Sequence, residues 1–327
     1  MAKLAVFVER YTIARAGELE ALMRYKTVAE ARGHEIHYLF RPELAKIPNY
    51  DALFIRALTD PLNASYVAAR IAEMHGLPVI DDPKSIRICC DKINMYRHLQ
   101  RANVPIPATV FLGRNDLTPA RAEEILAQLG TPAILKAPHS SFSSHVEKAH
   151  TPDEFVTIGK RFMHRSDRIL AQKFVRTHFD WRVGVLNGEP LYACRYTIPE
   201  NTFKVHANIN GRKCEGRVEG SRLEDVPPSI IDAATRAARA IGTSLYGIDL
   251  KITPDGSVYV IEVNDNPTIS AGEEDSYAPE IYEKIVCHLL EPGAKVERPT
   301  SRFEAFAPVQ DDEGSDLRVE YSDVCVS

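Results

Sequence analysis

Apolar and polar positions along this chain follow two alternating periods. Leu4–Val8 is an unbroken apolar run, the pattern of a strand buried on both faces. From Ala16 onward, Leu19, Leu22, Met23 and Val28 recur at helical spacing until Gly33 stops them. Glu35–Phe40 and Tyr50–Arg56 read as strands, Ala64–Gly76 as a helix and Leu77–Asp81 as a strand. Strands alternating with helices predict a small α/β layer on a largely parallel sheet. No Gly-x-Gly-x-x-Gly follows the first strand, so a dinucleotide fingerprint has no motif behind it.

One helix is predicted from Ile86 to Val104, ended by Pro105 and Pro107. Strands at Ala108–Leu112, Pro132–Ala137 and Ile169–Val175 then alternate with helices at Thr118–Gly130 and Thr151–Phe162. Trp181–Thr197 has the form of a hairpin turning at Asn187-Gly188, a pair suited to the positive φ angles of a tight turn. A helix at Pro228–Gly242 and a strand pair, Tyr246–Thr253 and Ser257–Asn264, follow, the pair joined through Pro254-Asp255-Gly256. The last predicted helix is Ala278–Glu291, before Pro292-Gly293. No internal repeat is visible.

The 44% hydrophobic and 26% charged content allows a large core in a chain of 327 residues. The formal charge of −5 lacks the basic excess of a dedicated nucleic-acid binder. From Ser301 the acids are Glu304, Asp311, Asp312, Glu313, Asp316, Glu320 and Asp323, against Arg302 and Arg318. Seven minus two accounts for the whole net charge, so the body is neutral and an acidic, aperiodic, disordered tail is expected at 296–327. The six cysteines form no Cys-x-x-Cys pair, and vicinal Cys89-Cys90 reads as a small apolar pair entering a helix. No signal peptide or membrane-length apolar run is present, which makes the cytoplasm the default location.

The richest chemistry lies in Tyr246–Pro267. Two apolar strands joined by a tight turn carry Asp249 on one and Glu262 and Asn264 on the other. Period two puts Glu262 and Asn264 on one face, and antiparallel pairing can bring Asp249 beside them. A carboxylate within Val-Ile-Glu-Val is costly to bury unless a positive charge meets it, and magnesium suits such oxygen donors. An amphipathic hairpin with solvated acids fits the same pattern.

This segment resembles the last motif of the ATP-grasp superfamily, and the chain as a whole resembles its RimK-type glutamate ligase branch, close to the glutathione synthetases. The correspondence runs in order through Asp82–Gln100 with Val104–Thr109, Pro132–Val146, Ile169–Val175, Asp180–Tyr196 and Ala207–Arg212. The resemblance implies an α/β (α+β) ATP-grasp fold: a Rossmann-like pre-ATP-grasp domain at 1–88, a central lobe at 89–177 and a C-terminal lobe at 178–295. It also implies ATP with Mg²⁺ or Mn²⁺. Lys92 and Lys136 would approach the phosphates, under a covering loop holding Ser141, Phe142 and Ser143. Gln172, Lys173, Phe174 and Val175 would line the adenine site through backbone groups. Arg182, with Lys136, would serve catalysis by holding an acyl phosphate or substrate carboxylate; Arg suits bidentate anion recognition. Asp249, Glu262 and Asn264 would bind the metal, and Arg56, Arg195, Lys204 and Asn208 would face substrate. The family's covering loop usually contains glycines, whereas His139–Val146 has none and His145 stands where one is common.

The activity so implied is ADP-forming ligation of a carboxylate to an amine, with small-molecule, amino-acid or peptide substrates, a protein tail as a further acceptor, and a homo-oligomeric state common in the family. No nucleic-acid or membrane partner is expected. Alternatives on the same fold are a small-molecule kinase and a non-catalytic ATP-binding protein. An intact Asp249, Glu262 and Asn264 set disfavours the last, because a binder need not keep a metal bridge to the γ-phosphate.

Overall fold

The computed structural model describes residues 1–139, 145–200, 202–209 and 212–290, with only the backbone described at 206–209 and 212–215. The expected loop residues Ser141, Phe142 and Ser143 and the tail lie outside these residues. No helix among them is long and apolar enough to cross a membrane.

The first unit runs β1 (Lys3–Val8), α1 (Arg10–Ile13), α2 (Ala16–Ala31), β2 (Glu35–Leu39), β3 (Ala52–Arg56), α3 (Ala64–Met74), β4 (Val79–Ile80) and α4 (Pro83–Cys89). Its sheet is parallel in the order β2-β1-β3-β4, as the alternation of strand and helix predicts. On α2 the buried face is Ala21, Leu22, Tyr25 and Ala29, whereas Leu19 and Met23 are 42% and 51% exposed. The helical period was legible, but the inward face is set by Leu22 with Ala21, Tyr25 and Ala29, while Leu19 and Met23 turn outward.

The predicted helix across Ile86–Val104 is two helices. Asp91 breaks it: its carboxylate accepts the Ile93 and Asn94 amides and caps α5 (Lys92–Arg101). The break puts Lys92 at the first position of α5, where its own backbone N–H donates to the Pro138 carbonyl at 3.0 Å.

A second unit comprises β5 (Thr109–Leu112), α6 (Pro119–Leu129), β6 (Ala133–Lys136), β7 (Val146–Ala149), α7 (Pro152–Phe162) and β8 (Ile169–Lys173). Thr118 and Thr151 cap α6 and α7, each with proline at the first helical position. The sheet is antiparallel, β5-β8-β6-β7, with its own core between the strands and the two helices.

The third unit has β9 (Phe179–Leu186), β10 (Glu189–Thr197), β11 (His206–Ile209), β12 (Arg212–Glu215), β13 (Val218–Ser221), α8 (Pro228–Ile241), β14 (Leu245–Ile252), β15 (Val258–Asn264) and α9 (Ile281–Leu290). Five strands form one antiparallel sheet, β13-β10-β9-β14-β15, and β11-β12 is a separate hairpin. Asn187 and Gly188 turn the β9–β10 hairpin at φ values of 51° and 76°. β7, β11, β12 and β13 had no counterpart among the predicted strands, being only four residues each.

Alternation divides the large sheet chemically. Trp181, Val183, Val185, Ile248, Leu250 and Val263 share a core with α5 and α8 on one face. Asp180, Arg182, Asp249, Glu262 and Asn264 occupy the positions between them on the other. Helix α9 joins the first unit: Ile281, Ile285 and Val286 share a core with Leu4, Val6 and Leu22.

Candidate functional site

The site lies where the start of α5, the end of β6 and the polar face of the large sheet converge. Across that face Asp249 stands opposite both Glu262 and Arg182, and Gly247 opposite Asn264. The register places the three expected oxygen donors and Arg182 on one surface. A bulge at Ile261, which has no partner between the Leu250–Val260 and Asp249–Glu262 pairs, brings Glu262 into that register.

Edge strand β15 is covered by the chain around α5. Its Val260 amide donates to the Pro105 carbonyl at 2.8 Å, and the bulge carbonyl of Ile261 accepts from the Tyr96 hydroxyl. That hydroxyl also lies 3.2 Å from Gln172 Oε1, so its one proton is shared between two acceptors while its oxygen accepts from Lys136 Nζ at 2.9 Å. Gln172 is 2% exposed and completes the group by donating to Thr109 Oγ1 at 2.9 Å.

Among the described residues, four cations and three anions meet here. Lys92 Nζ donates to Glu262 Oε1 at 2.6 Å, and Arg182 grips Asp249 with Nε and Nη2 at 2.5 and 2.8 Å. Lys251 pairs with Asp180 and donates to Thr177 Oγ1 at 2.7 Å. Lys136 is the fourth cation. Burial, reinforced by nearby Lys92, lowers its pKa to about 8 against the pull of Glu262 and Asp180. Burial works against the Glu262 carboxylate, yet Lys92, then Lys136 and Arg182, hold it below the ordinary range. Burial opposes the Arg182 charge too, and Asp249 more than compensates. The Glu262 side chain remains 30% exposed, which leaves it open to an incoming ligand.

Asn264 spends its amide nitrogen on the Gly247 carbonyl and Asp249 Oδ2, both at 3.1 Å, and this commits its oxygen as the remaining donor. Gly247 is needed for close approach: a Cβ there would stand 2.6 Å from Pro267 Cβ and 3.1 Å from Arg182 Cδ. Among the described residues, no three His, Cys, Asp or Glu side chains are placed to hold a metal by themselves. Two carboxylates and an amide oxygen form a hard, incomplete donor set, the kind magnesium shares with phosphate oxygens and water.

The other expected residues divide. Lys173 donates its amide to the Ala108 carbonyl at 2.9 Å, Val175 is buried, and Phe174 packs edge-on to Phe203 at 6.1 Å. Lys148 Nζ lies 4.1 and 4.6 Å from those two ring centroids, and Lys204 Nζ 5.5 Å from Phe203. Burial lowers the Lys204 ammonium pKa, with Glu147 opposing. Trp181 is core. Arg195 is not brought to the site: it pairs with Trp181 across the sheet, on the opposite face from Arg182, stacks near Phe179 and Trp181 and meets Glu219 at 3.3 Å. Arg56 is buried and donates to Asn266 Oδ1 at 2.7 Å and the Pro267 carbonyl at 3.0 Å, fastening β3 to the chain after β15. Asn208 lies in β11 opposite Lys213, its side chain outside the description. His145 meets Arg165 at 3.1 Å and Phe162 edge-on. Cys89 and Cys90 are thiols, and burial raises both pKa values far from the thiolate range.

Tyr96, Asp180 and Lys251 escaped the sequence reading. Each had a signal: Tyr96 stands one helical turn after Lys92, Asp180 two residues before Arg182, and Lys251 two after Asp249.

Residues 121–270 match a family model described as an ATP-grasp domain, the third family of its clade. A probable alpha-L-glutamate ligase of Vibrio vulnificus is 24% identical over 294 residues, covering 84% of this chain and 93% of the relative. The structure of a RimK domain ATP-grasp protein from Sphaerobacter thermophilus is 20% identical with a TM-score of 0.63, covering 88% of this chain and 100% of that one. A D-alanine–D-alanine ligase from Bacillus anthracis, 16% identical, superposes with a TM-score of 0.64 over 89% of this chain and 97% of its own. Residues 121–270 thus match an ATP-grasp domain, and the chain shares the fold of solved ATP-grasp structures over most of its length.

Proposed function

We propose that this chain is an ADP-forming ligase that joins a carboxylate to an amine through an acyl phosphate. One observation carries the reading: Lys92, Lys136 and Arg182 converge with Asp249, Glu262 and Asn264 on a single sheet face, cations interleaved with hard oxygen donors. Such a face neutralises a polyphosphate and a second anion together, and phosphoryl transfer needs positioning and charge neutralisation more than a covalent nucleophile.

In this reading an oxygen of the substrate carboxylate attacks the γ-phosphorus of ATP, the β–γ bridging bond breaks and ADP leaves. The amine nitrogen then attacks the acyl carbon, gives up a proton and displaces phosphate. Lys92 and Lys136 hold the phosphates, Lys136 steadied by Tyr96. Arg182 holds the anion formed on the substrate, and the backbone at Gln172–Val175 receives the adenine. Asp249, Glu262 and Asn264 are the residues that would hold Mg²⁺ or Mn²⁺, which when bound supplies positive charge to the γ-phosphate. The name alpha-L-glutamate ligase among its relatives makes glutamate the first amino acid to test, alone and with peptide acceptors.

The test is ATP turnover with pairs of amino acids and peptides. ADP and phosphate should form only when carboxylate and amine are both present, and hydroxylamine should capture the activated carboxylate as a hydroxamate. AMP formation, or a stable phosphorylated alcohol as product, would exclude this mechanism, the second outcome in favour of a kinase.

A further inference from the structure

Arg182 has a second anchor that the ligase reading leaves unused. Its guanidinium carbon lies 4.9 Å from the ring centroid of Tyr196. Tyr196 sits on β10 two residues beyond Cys194, the residue opposite Arg182, so both side chains occupy the same face. The Tyr196 hydroxyl donates to Glu274 Oε1 at 2.6 Å, and the Ser270 backbone N–H donates to Glu274 Oε2 at 2.8 Å. Tyr196 is 7% exposed and Glu274 2%. Burial raises the Glu274 pKa, opposed first by the hydrogen bond from Tyr196 and then by the Ser270 amide. A carboxylate buried with so few partners is expensive, and its visible effect is to fix one tyrosine.

We infer that Tyr196 and Glu274 are positioning residues for Arg182: the ring is a seat that keeps the guanidinium in place while it exchanges Asp249 for the substrate anion. The inference rests on the ligase reading, in which Asp249 turns to the cation and Arg182 to the activated carboxylate. That exchange opens a bidentate ion pair and would free a long, rotamer-rich side chain. Attraction to a ring face uses none of the guanidinium N–H donors, so it persists while all of them change partner. Glu274 holds the ring against swinging, and the bare backbone at Gly247 leaves room for the Arg182 stem.

The test uses the full chain with isotope-labelled arginine, the Arg182 Nε–H resonance being assigned by its loss in Arg182→Lys. Spectra are recorded with and without magnesium and a non-hydrolysable ATP analogue. In the wild type this proton should stay slow to exchange when the ligands bind. Tyr196→Leu should speed its exchange about tenfold or more, while Tyr196→Phe and Glu274→Gln should show smaller gains of about threefold. In turnover with glutamate as both carboxylate and amine, Tyr196→Leu should raise the KM for glutamate about tenfold and leave the KM for ATP unchanged. Unchanged Arg182 exchange in ligand-bound Tyr196→Leu overturns the seat. Should that variant not fold, unchanged exchange in both Tyr196→Phe and Glu274→Gln overturns it. Absence of wild-type turnover with every carboxylate–amine pair would count against the ligase reading instead, and the exchange comparison would still decide the seat.

Discussion

Glu262 concentrates the charge logic of the site. It is held ionised by Lys92, Lys136 and Arg182 despite its burial, and it stays accessible at the face where an ion and phosphates would meet. Glu262→Gln preserves shape and removes the charge. Losing about 3 kcal/mol or more of transition-state stabilisation slows turnover by about a hundredfold or more, since roughly 1.4 kcal/mol is tenfold. Thermal melting should confirm folding, and a magnesium titration should shift to higher concentration; near-normal turnover and magnesium dependence would show that Glu262 is not a ligand. Lys136 gives the pH prediction. Burial lowers its pKa to about 8, so above that pH the free protein carries a neutral amine at the proposed phosphate site. Polyphosphate favours the protonated form, raising the bound-state pKa, so the complex holds more protons than the free protein above pH 8. ATP affinity should therefore fall as pH rises through 8, with proton uptake on binding. Calorimetry in buffers of different ionisation heat should detect that uptake in the wild type and lose it in Lys136→Met.

The strands supply the face on which those residues act, and their backbone tolerances are as demanding as their side chains. Gly247 is the clearest case, because a methyl group there meets Pro267 and the stem of Arg182. Gly247→Ala should lower kcat/KM by about tenfold or more, as sub-ångström displacement of a positioning group does, while overpacking removes only about 1–3 kcal/mol of stability. Comparable losses in both, with Arg182 unmoved, would make Gly247 a packing residue alone. At this scale the sequence was legible wherever periodicity ran long. The β9–β10 hairpin and the β14–β15 pair stand where Asn187-Gly188 and Pro254-Asp255-Gly256 placed their turns, and alternation correctly put Glu262 beside Asn264. The break between α4 and α5 was hidden because Cys89, Cys90 and Asp91 do not interrupt a helical pattern; only the capping role of Asp91 reveals it. Arg195 misled because its place in the chain says nothing about parity, and one residue of register turns a side chain to the far face. The spacing of Tyr96 from Lys92 hinted at a shared face, but its bond to the Ile261 carbonyl depends on a bulge that no apolar pattern records.

At the scale of the whole molecule, several contacts among the described residues join the second unit and α5 to the third unit, and three of them bear on the candidate site. Lys92 reaches Glu262, the Lys136–Tyr96 pair reaches the Ile261 carbonyl, and Lys148 of β7 reaches Phe203 beyond β10. The first two lie within the charged face and would be reorganised by nucleotide. The third lies beside Phe174, in the segment proposed to receive adenine, and uses a ring and an ammonium whose pKa is lowered first by burial and then by Arg176. In the proposed ligase, Lys148 would link the Phe203 segment to occupancy of the proposed adenine side. Cation–π contacts at partly exposed sites contribute about 0.5–2 kcal/mol, so Lys148→Ala should raise the KM for ATP about twofold to thirtyfold. The maximal rate should change little, because Lys92, Lys136 and Arg182 keep their own partners. Hydrogen exchange should show nucleotide-dependent protection of residues 172–176 and 203–205 together in the wild type. In Lys148→Ala the two segments should lose that concert, with 172–176 still protected by adenine and 203–205 exchanging as in the free protein. A fall in maximal rate with no change in the KM for ATP would instead place Lys148 in the chemistry and remove it from any link between the Phe174 and Phe203 segments.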